Sequence, residues 1–156
     1  MIRPALMLLA ALATLSAAPL DAREPPPPGT IDIWNDKGGN VLRMVQRRAD
    51  LEASGKRVRI RGYCRSACTI LITLPNACLG PGAKVGFHAP RIPGTTIIPP
   101  IVDEIMGSYY RNGIRDRWFG GWNRSAKMQV ITAREYVLLD PQTKLCRDIG
   151  GGGAKR

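Results

Sequence analysis

Between Arg57 and Leu74 the chain changes period, and that change restricts its fold more than any other feature. Arg57 to Cys64, "RVRIRGYC", alternates with the period of two that a strand requires. Ala67 to Leu74, "ACTILITL", follows at once, apolar almost throughout as a compact buried helix would be, and Pro75-Asn76 ends it. The same order recurs on both sides. Thr30 to Asn35 alternates as a strand, "NDKGGN" breaks it, and Val41 to Ala53 carries Val41, Leu42, Val45, Ala49 and Ala53 at helical spacing, closed by Gly55. Ala83 to His88 reads as a third strand, Ala89 to Pro100 as a loop holding four prolines, and Val102 to Phe119 as a helix. Thr132 to Leu139 suits a last helix, with Thr132 and Glu135 at capping-box spacing, and Leu145 to Ile149 a final short strand. Strand and helix in alternation predict an α/β layered domain with mainly parallel strands.

The two ends are set apart by composition. A basic start, Met1 to Arg3, precedes the apolar run Ala5 to Ala18, and Leu20-Asp21-Ala22 offers small residues for cleavage. That order predicts a secretory signal peptide over residues 1–22, the run being short for a membrane span; an uncleaved N-terminal anchor is the alternative. Residues 23–29 contain "EPPPPG", which cannot join a helix or a central strand and reads as a stiff linker. The domain then covers 30–149, and 150–156, "GGGAKR", reads as a disordered tail.

Export, most simply to a periplasm, changes how the four cysteines read. Cys64, Cys68, Cys78 and Cys146 are an even set bound for an oxidising compartment, so two disulfides are expected. Three pairings are open, with Cys64–Cys68 and Cys78–Cys146 favoured. A zinc site is not expected, because the chain has one histidine and lacks paired CxxC motifs. The net charge of +11 draws such a protein toward anionic surfaces, or leaves a solvated, salt-screened face. Nucleic acid is not an expected partner of an exported chain without a binding motif.

Three features converge on a chemical site. Ser66 follows a strand and opens a helix, so its hydroxyl is presented on a tight turn, as in a nucleophile elbow although the sequence is not GxSxG. The amide of Ala67 then faces the place where negative charge develops on a substrate carbonyl. His88, the sole histidine, ends another strand and can serve as the base that a serine nucleophile needs. Gly38-Gly39 ends the first strand on the same edge, where Gly39 can supply a second oxyanion donor. Each feature also has a plain structural reading: an N-cap serine, a structural histidine, a diglycine turn. Arg65 beside Ser66 either attracts an acidic group or faces solvent.

The order Gly-Gly, "GYCRSAC", "VGFHAP" resembles the serine peptidases of the ClpP type and their crotonase-fold relatives, with Gly39, Ser66 and His88 at the oxyanion, nucleophile and base positions. A group of exported ClpP-like proteins is more similar still. Cys64, Ser66, Ala67, Cys68, Thr69, Cys78, Gly86, Phe87, His88, Tyr110 and Trp118 fit its pattern across roughly Ile31 to Ile149. The resemblance implies a crotonase/ClpP-like domain, N-terminally shortened, without a cofactor, that cleaves a peptide or acyl substrate and assembles into homo-oligomers. It also implies a departure. Where the peptidases carry an aspartate four residues before a Ser/Thr-Ala pair, here Thr132-Ala133, this chain has Met128. Asp140, Asp148 or Glu135 can stand in, or a Ser-His dyad can act alone. The competing expectation is an inactive binding or assembly module on the same fold at a membrane surface. For that module, the arginines and aromatics of Tyr109 to Arg124 would meet another subunit or a lipid surface.

Overall fold

The computed structural model describes residues 29–149. The expected signal peptide, residues 23–28 of the linker and the 150–156 tail lie outside the described residues. Four parallel strands form one sheet in the order β1 (Thr30–Trp34), β2 (Arg57–Arg61), β4 (Ala77–Leu79) and β7 (Lys144–Leu145). A second sheet runs β3 (Tyr63–Arg65), β5 (Lys84–Phe87), β6 (Gln129–Thr132), with β6 antiparallel to β5. The class is therefore mixed α/β with a parallel main sheet.

The alternating run after Arg57 is two strands rather than one. Gly62 adopts φ +66, a left-handed conformation that an L side chain resists, and a Cβ there would lie 2.3 Å from Asn35 Oδ1. That same oxygen accepts from the Tyr63 amide at 2.9 Å. The chain thus turns at Gly62 and passes from the first sheet into the second.

Ala67 to Thr73 is buried throughout, inside a 3-10 helix, Ser66–Thr73, that forms the centre of the core. Its two buried threonines return their hydroxyls to carbonyls three residues back, Thr69 to Ser66 at 2.7 Å and Thr73 to Ile70 at 2.8 Å. Neither threonine hydroxyl is left to pay a desolvation cost. Helix α1 (Val41–Ala53), N-capped by Asn40 Oδ1 accepting from the Arg43 amide at 3.0 Å, packs on it through Val41, Met44 and Leu51.

The single helix expected over 102–119 is two, α2 (Pro100–Tyr109) and α3 (Asn112–Phe119). The break lets Arg111 and Asn112 reach the fully buried Asp140, whose carboxylate accepts from Arg111 Nη2 at 2.7 Å and Asn112 Nδ2 at 2.8 Å. Asn112 takes a left-handed φ of +49 to do so, which asparagine tolerates better than most residues. The segment's aromatics turn mostly inward. Tyr110 and Trp118 are buried with ring centroids 5.1 Å apart, and Trp122 lies 4.8 Å from Phe87. Tyr110 and Trp118 of the expected binding segment Tyr109 to Arg124 thus belong to the core, while Phe119, Arg115, Arg117 and Arg124 stay exposed. Helix α4 (Ala133–Leu139) starts with the full capping box, Thr132 and Glu135 each bonding the other's backbone amide.

An ion-pair cluster ties β1 to the segment after β7 across the main sheet. Arg59 on β2 holds Asp32 of β1 through two bonds, 2.6 and 2.7 Å, and Asp148 beyond β7 at 3.0 Å. The Arg59 guanidinium keeps the Asp32 carboxyl below the usual carboxylate range. A carboxyl lowered by folding stabilises the fold above its unfolded value of about 3.9, and the contribution is lost as the pH falls through the lowered value. Arg59→Met is accordingly expected to flatten the fall of stability below about pH 4, measured as urea midpoints from neutral to acid pH. An acid limb of unchanged steepness would rule out this pair as its source.

Candidate functional site

Ser66 lies at the junction of β3 and the 3-10 helix with φ +56, one of three described non-glycine residues at positive φ. For a serine this costs on the order of 1–3 kcal/mol unless the surroundings impose it. Three contacts do so. Cys64 and Cys68 are joined by a disulfide across the serine, so the residues flanking it are locked together. The Arg65 amide donates to the Asp36 carbonyl at 3.0 Å, and the Gly38 amide to Asp36 Oδ1 at 2.8 Å, binding the diglycine loop to the turn. Within the core, Thr69 Oγ1 donates to the Ser66 carbonyl and receives a bond from the Tyr110 hydroxyl at 2.6 Å. Burial pushes the Tyr110 phenol far up, so that it stays protonated and remains a donor.

Gly38 fits this turn as no other residue would. A Cβ on it would come within 2.6 Å of the Ala67 amide nitrogen and 2.7 Å of the Arg65 carbonyl oxygen, at φ +77. Gly39, at φ +117, has open space where a Cβ would go. Gly39, Ser66 and His88 line one pocket of about 530 Å³. Ala67 is fully buried and is not part of its wall. Val41, Leu42, Val102 and Met106 make the wall apolar, and Pro90 to Pro93 with Pro99 form the side contributed by the proline loop. Among the described residues, Arg91 is the only charged one that lines the pocket, and no carboxylate does. Arg65 is not among the lining residues; its guanidinium sits 5.2 Å from the Tyr63 ring.

His88 stands one residue past the end of β5, half-buried, with Nδ1 2.8 Å from the Ala89 carbonyl oxygen. A carbonyl can only accept, so Nδ1 carries the proton, and in the neutral ring Nε2 is left as the basic nitrogen. The Ser66 hydroxyl has no hydrogen bond among the described residues. Three carboxylates weighed as a third member are engaged elsewhere. Asp140 is bound by Arg111 and Asn112, Asp148 by Arg57 and Arg59, and Glu135 by its own helix cap. Met128 directly precedes β6, and its sulfur lies beside Gly86, where a Cβ would come within 2.8 Å of it. A thioether is at best a weak acceptor, and the main chain supplies the imidazole's partner instead.

The comparisons with known proteins leave this geometry to stand by itself. No protein-family model matches the chain, and no curated protein matches it.

The two disulfides are Cys64–Cys68 and Cys78–Cys146, the favoured pairing, and they fit a protein kept outside the reducing cytoplasm. Among the described residues no helix is long and apolar enough to cross a membrane. The Ala89 carbonyl had no side-chain signal in the sequence. Gly38 was visible in the sequence only as half of a diglycine, and the fold makes it the one that packs against the serine turn without room for a methyl group.

Proposed function

We propose that the protein is an exported serine hydrolase of the ClpP/crotonase superfamily, acting through Ser66 and His88 without a side-chain carboxylate behind the histidine. The observation that carries this reading is the shared pocket wall of Ser66, held at positive φ, and His88, with Nδ1 committed to the Ala89 carbonyl. Ser66 Oγ attacks an ester or amide carbonyl while its proton passes to His88 Nε2. The amide of Gly39, on the pocket wall, donates to the oxyanion, while the Ala67 amide lies buried against Gly38. Collapse expels the alcohol or amine, which takes the proton back from His88, and water then repeats the sequence to release the acid and free Ser66. The Ala89 carbonyl does part of what a triad aspartate does: it sets tautomer and ring orientation, but adds no negative charge to stabilise the imidazolium. Turnover slower than that of a full triad follows from that difference. The expected signal peptide over residues 1–22 and the two disulfides support a periplasmic location.

A fluorophosphonate probe tests the reading. Ser66 should be modified, as identified by peptide mass spectrometry, and His88→Gln should slow labelling by about 10²-fold or more. Folded protein, with its thermal transition intact, that leaves Ser66 unlabelled would end the hydrolase assignment.

A further inference from the structure

Four large apolar side chains stay exposed on the three segments that wall this pocket. Leu42 at the start of α1 is 62% exposed, Ile92 and Ile97 in the proline loop 43% and 58%, and Ile101 in the first turn of α2 68%. Leu42 and Ile92 line the pocket themselves. Ile97 is tied to Ile92 by the bond from the Ile92 amide to the Ile97 carbonyl at 3.0 Å, and Ile101 lies between the lining residues Pro99 and Val102. Single exposed apolar residues are ordinary on a soluble protein, but a group gathered on the segments that wall one cavity marks a contact surface. Two arginines sit directly beside it in sequence, Arg43 next to Leu42 and Arg91 next to Ile92, both exposed and neither in a salt bridge among the described residues. On the helix that carries Ile101, Glu104 is exposed while Asp103 is turned inward to accept from Asn123 Nδ2 at 2.8 Å, in a chain whose net charge is +11.

We propose that this rim docks on the surface of an anionic phospholipid bilayer, Leu42, Ile92, Ile97 and Ile101 entering the headgroup–acyl boundary while Arg43 and Arg91 meet lipid phosphates. Charge complementarity selects this occupant. Apolar side chains flanked by unpaired guanidinium groups match an interface that is greasy beneath and negative above. A second copy of the chain would bring another basic face against this one. Docked this way, the mouth of the Ser66 pocket opens onto the lipid. The surface does not depend on the chemistry at Ser66.

Vesicle co-sedimentation tests it with the protein processed after Ala22, which keeps every described residue and lacks the apolar run Ala5 to Ala18. Binding should be about tenfold tighter to vesicles with roughly one-third phosphatidylglycerol than to pure phosphatidylcholine, and should weaken with salt. Ile92→Glu with Ile97→Glu should lower it about tenfold or more at an unchanged thermal midpoint. Leu138→Glu, at the 80% exposed Leu138 outside the pocket, should change it little, and Ser66→Ala should bind like the unaltered protein. Equal binding to both vesicle types, or an equal loss with Leu138→Glu, overturns the proposal. So does a dimer in light scattering that the double glutamate variant dissociates, because the rim would then be an interface between copies.

Discussion

Replacing Cys78 and Cys146 together by alanine is expected to lower stability by about 4 kcal/mol, or roughly 15 °C in Tm. The two cysteines are 68 residues apart, so their bond closes a long loop and removes many conformations from the unfolded chain. Domains of this size have about 5–15 kcal/mol in total, so the loss is a large share of the whole. It has a local component too. β7 is only two residues long, and the Cys146 amide donating to the Leu79 carbonyl at 2.8 Å continues its attachment to β4. Freed of the disulfide, β7 can fray and take with it Asp148, which pairs with Arg57 and Arg59. The same relation gives only about 2 kcal/mol for Cys64–Cys68, which lie four residues apart. Urea midpoints of the two double variants under non-reducing conditions make the comparison. Equal losses would mean that loop length is not what decides.

The Gly38→Ala variant is expected to slow fluorophosphonate labelling of Ser66 by about 100-fold, because misplacement near 1 Å at a reacting group has effects of that size. The added methyl group meets backbone on both sides, the Ala67 amide and the Arg65 carbonyl, so no side chain can rotate away to make room. Either the diglycine loop lifts off or the serine turn moves. Stability should fall as well, by about 1–3 kcal/mol, since φ +77 is strained for alanine and the contact is overpacked. Gly39→Ala separates the causes: its methyl group finds open space, leaving only the backbone strain of φ +117. A Gly38→Ala protein as stable as the original would show that the close approach is not tight in solution, whatever happens to labelling.

Long, strongly periodic segments were legible from the residues alone. β1, α1 and the capped start of α4 lie within a residue or two of where pattern and turn chemistry place them. β4 and β6 were not foreseen. They are three and four residues long, too short for an alternation to register, and they form because neighbouring strands supply hydrogen-bond partners. The long helix over 102–119 failed for a related reason. Its helical spacing continues through Tyr110 to Asn112, yet the buried carboxylate of Asp140, 28 residues beyond Asn112, captures that stretch. The Asn112-Gly113 pair is the one local sign of the break, and it says nothing of the distant carboxylate that uses it.

The sequence by itself determined an α/β layout, two disulfides' worth of cysteines, and a serine, a histidine and a diglycine bend at strand ends. Those follow from periodicity, turn chemistry and residue type, all of which act over short distances along the chain. Tertiary structure alone decided that Ser66 would be held left-handed, that Gly38 rather than Gly39 would pack against its turn, and that the imidazole's partner is the neighbouring carbonyl while Asp140, Asp148 and Glu135 are engaged elsewhere. Each of these depends on which segments touch. That is set by burying the 3-10 helix and closing two sheets around it, an energy no local stretch possesses on its own.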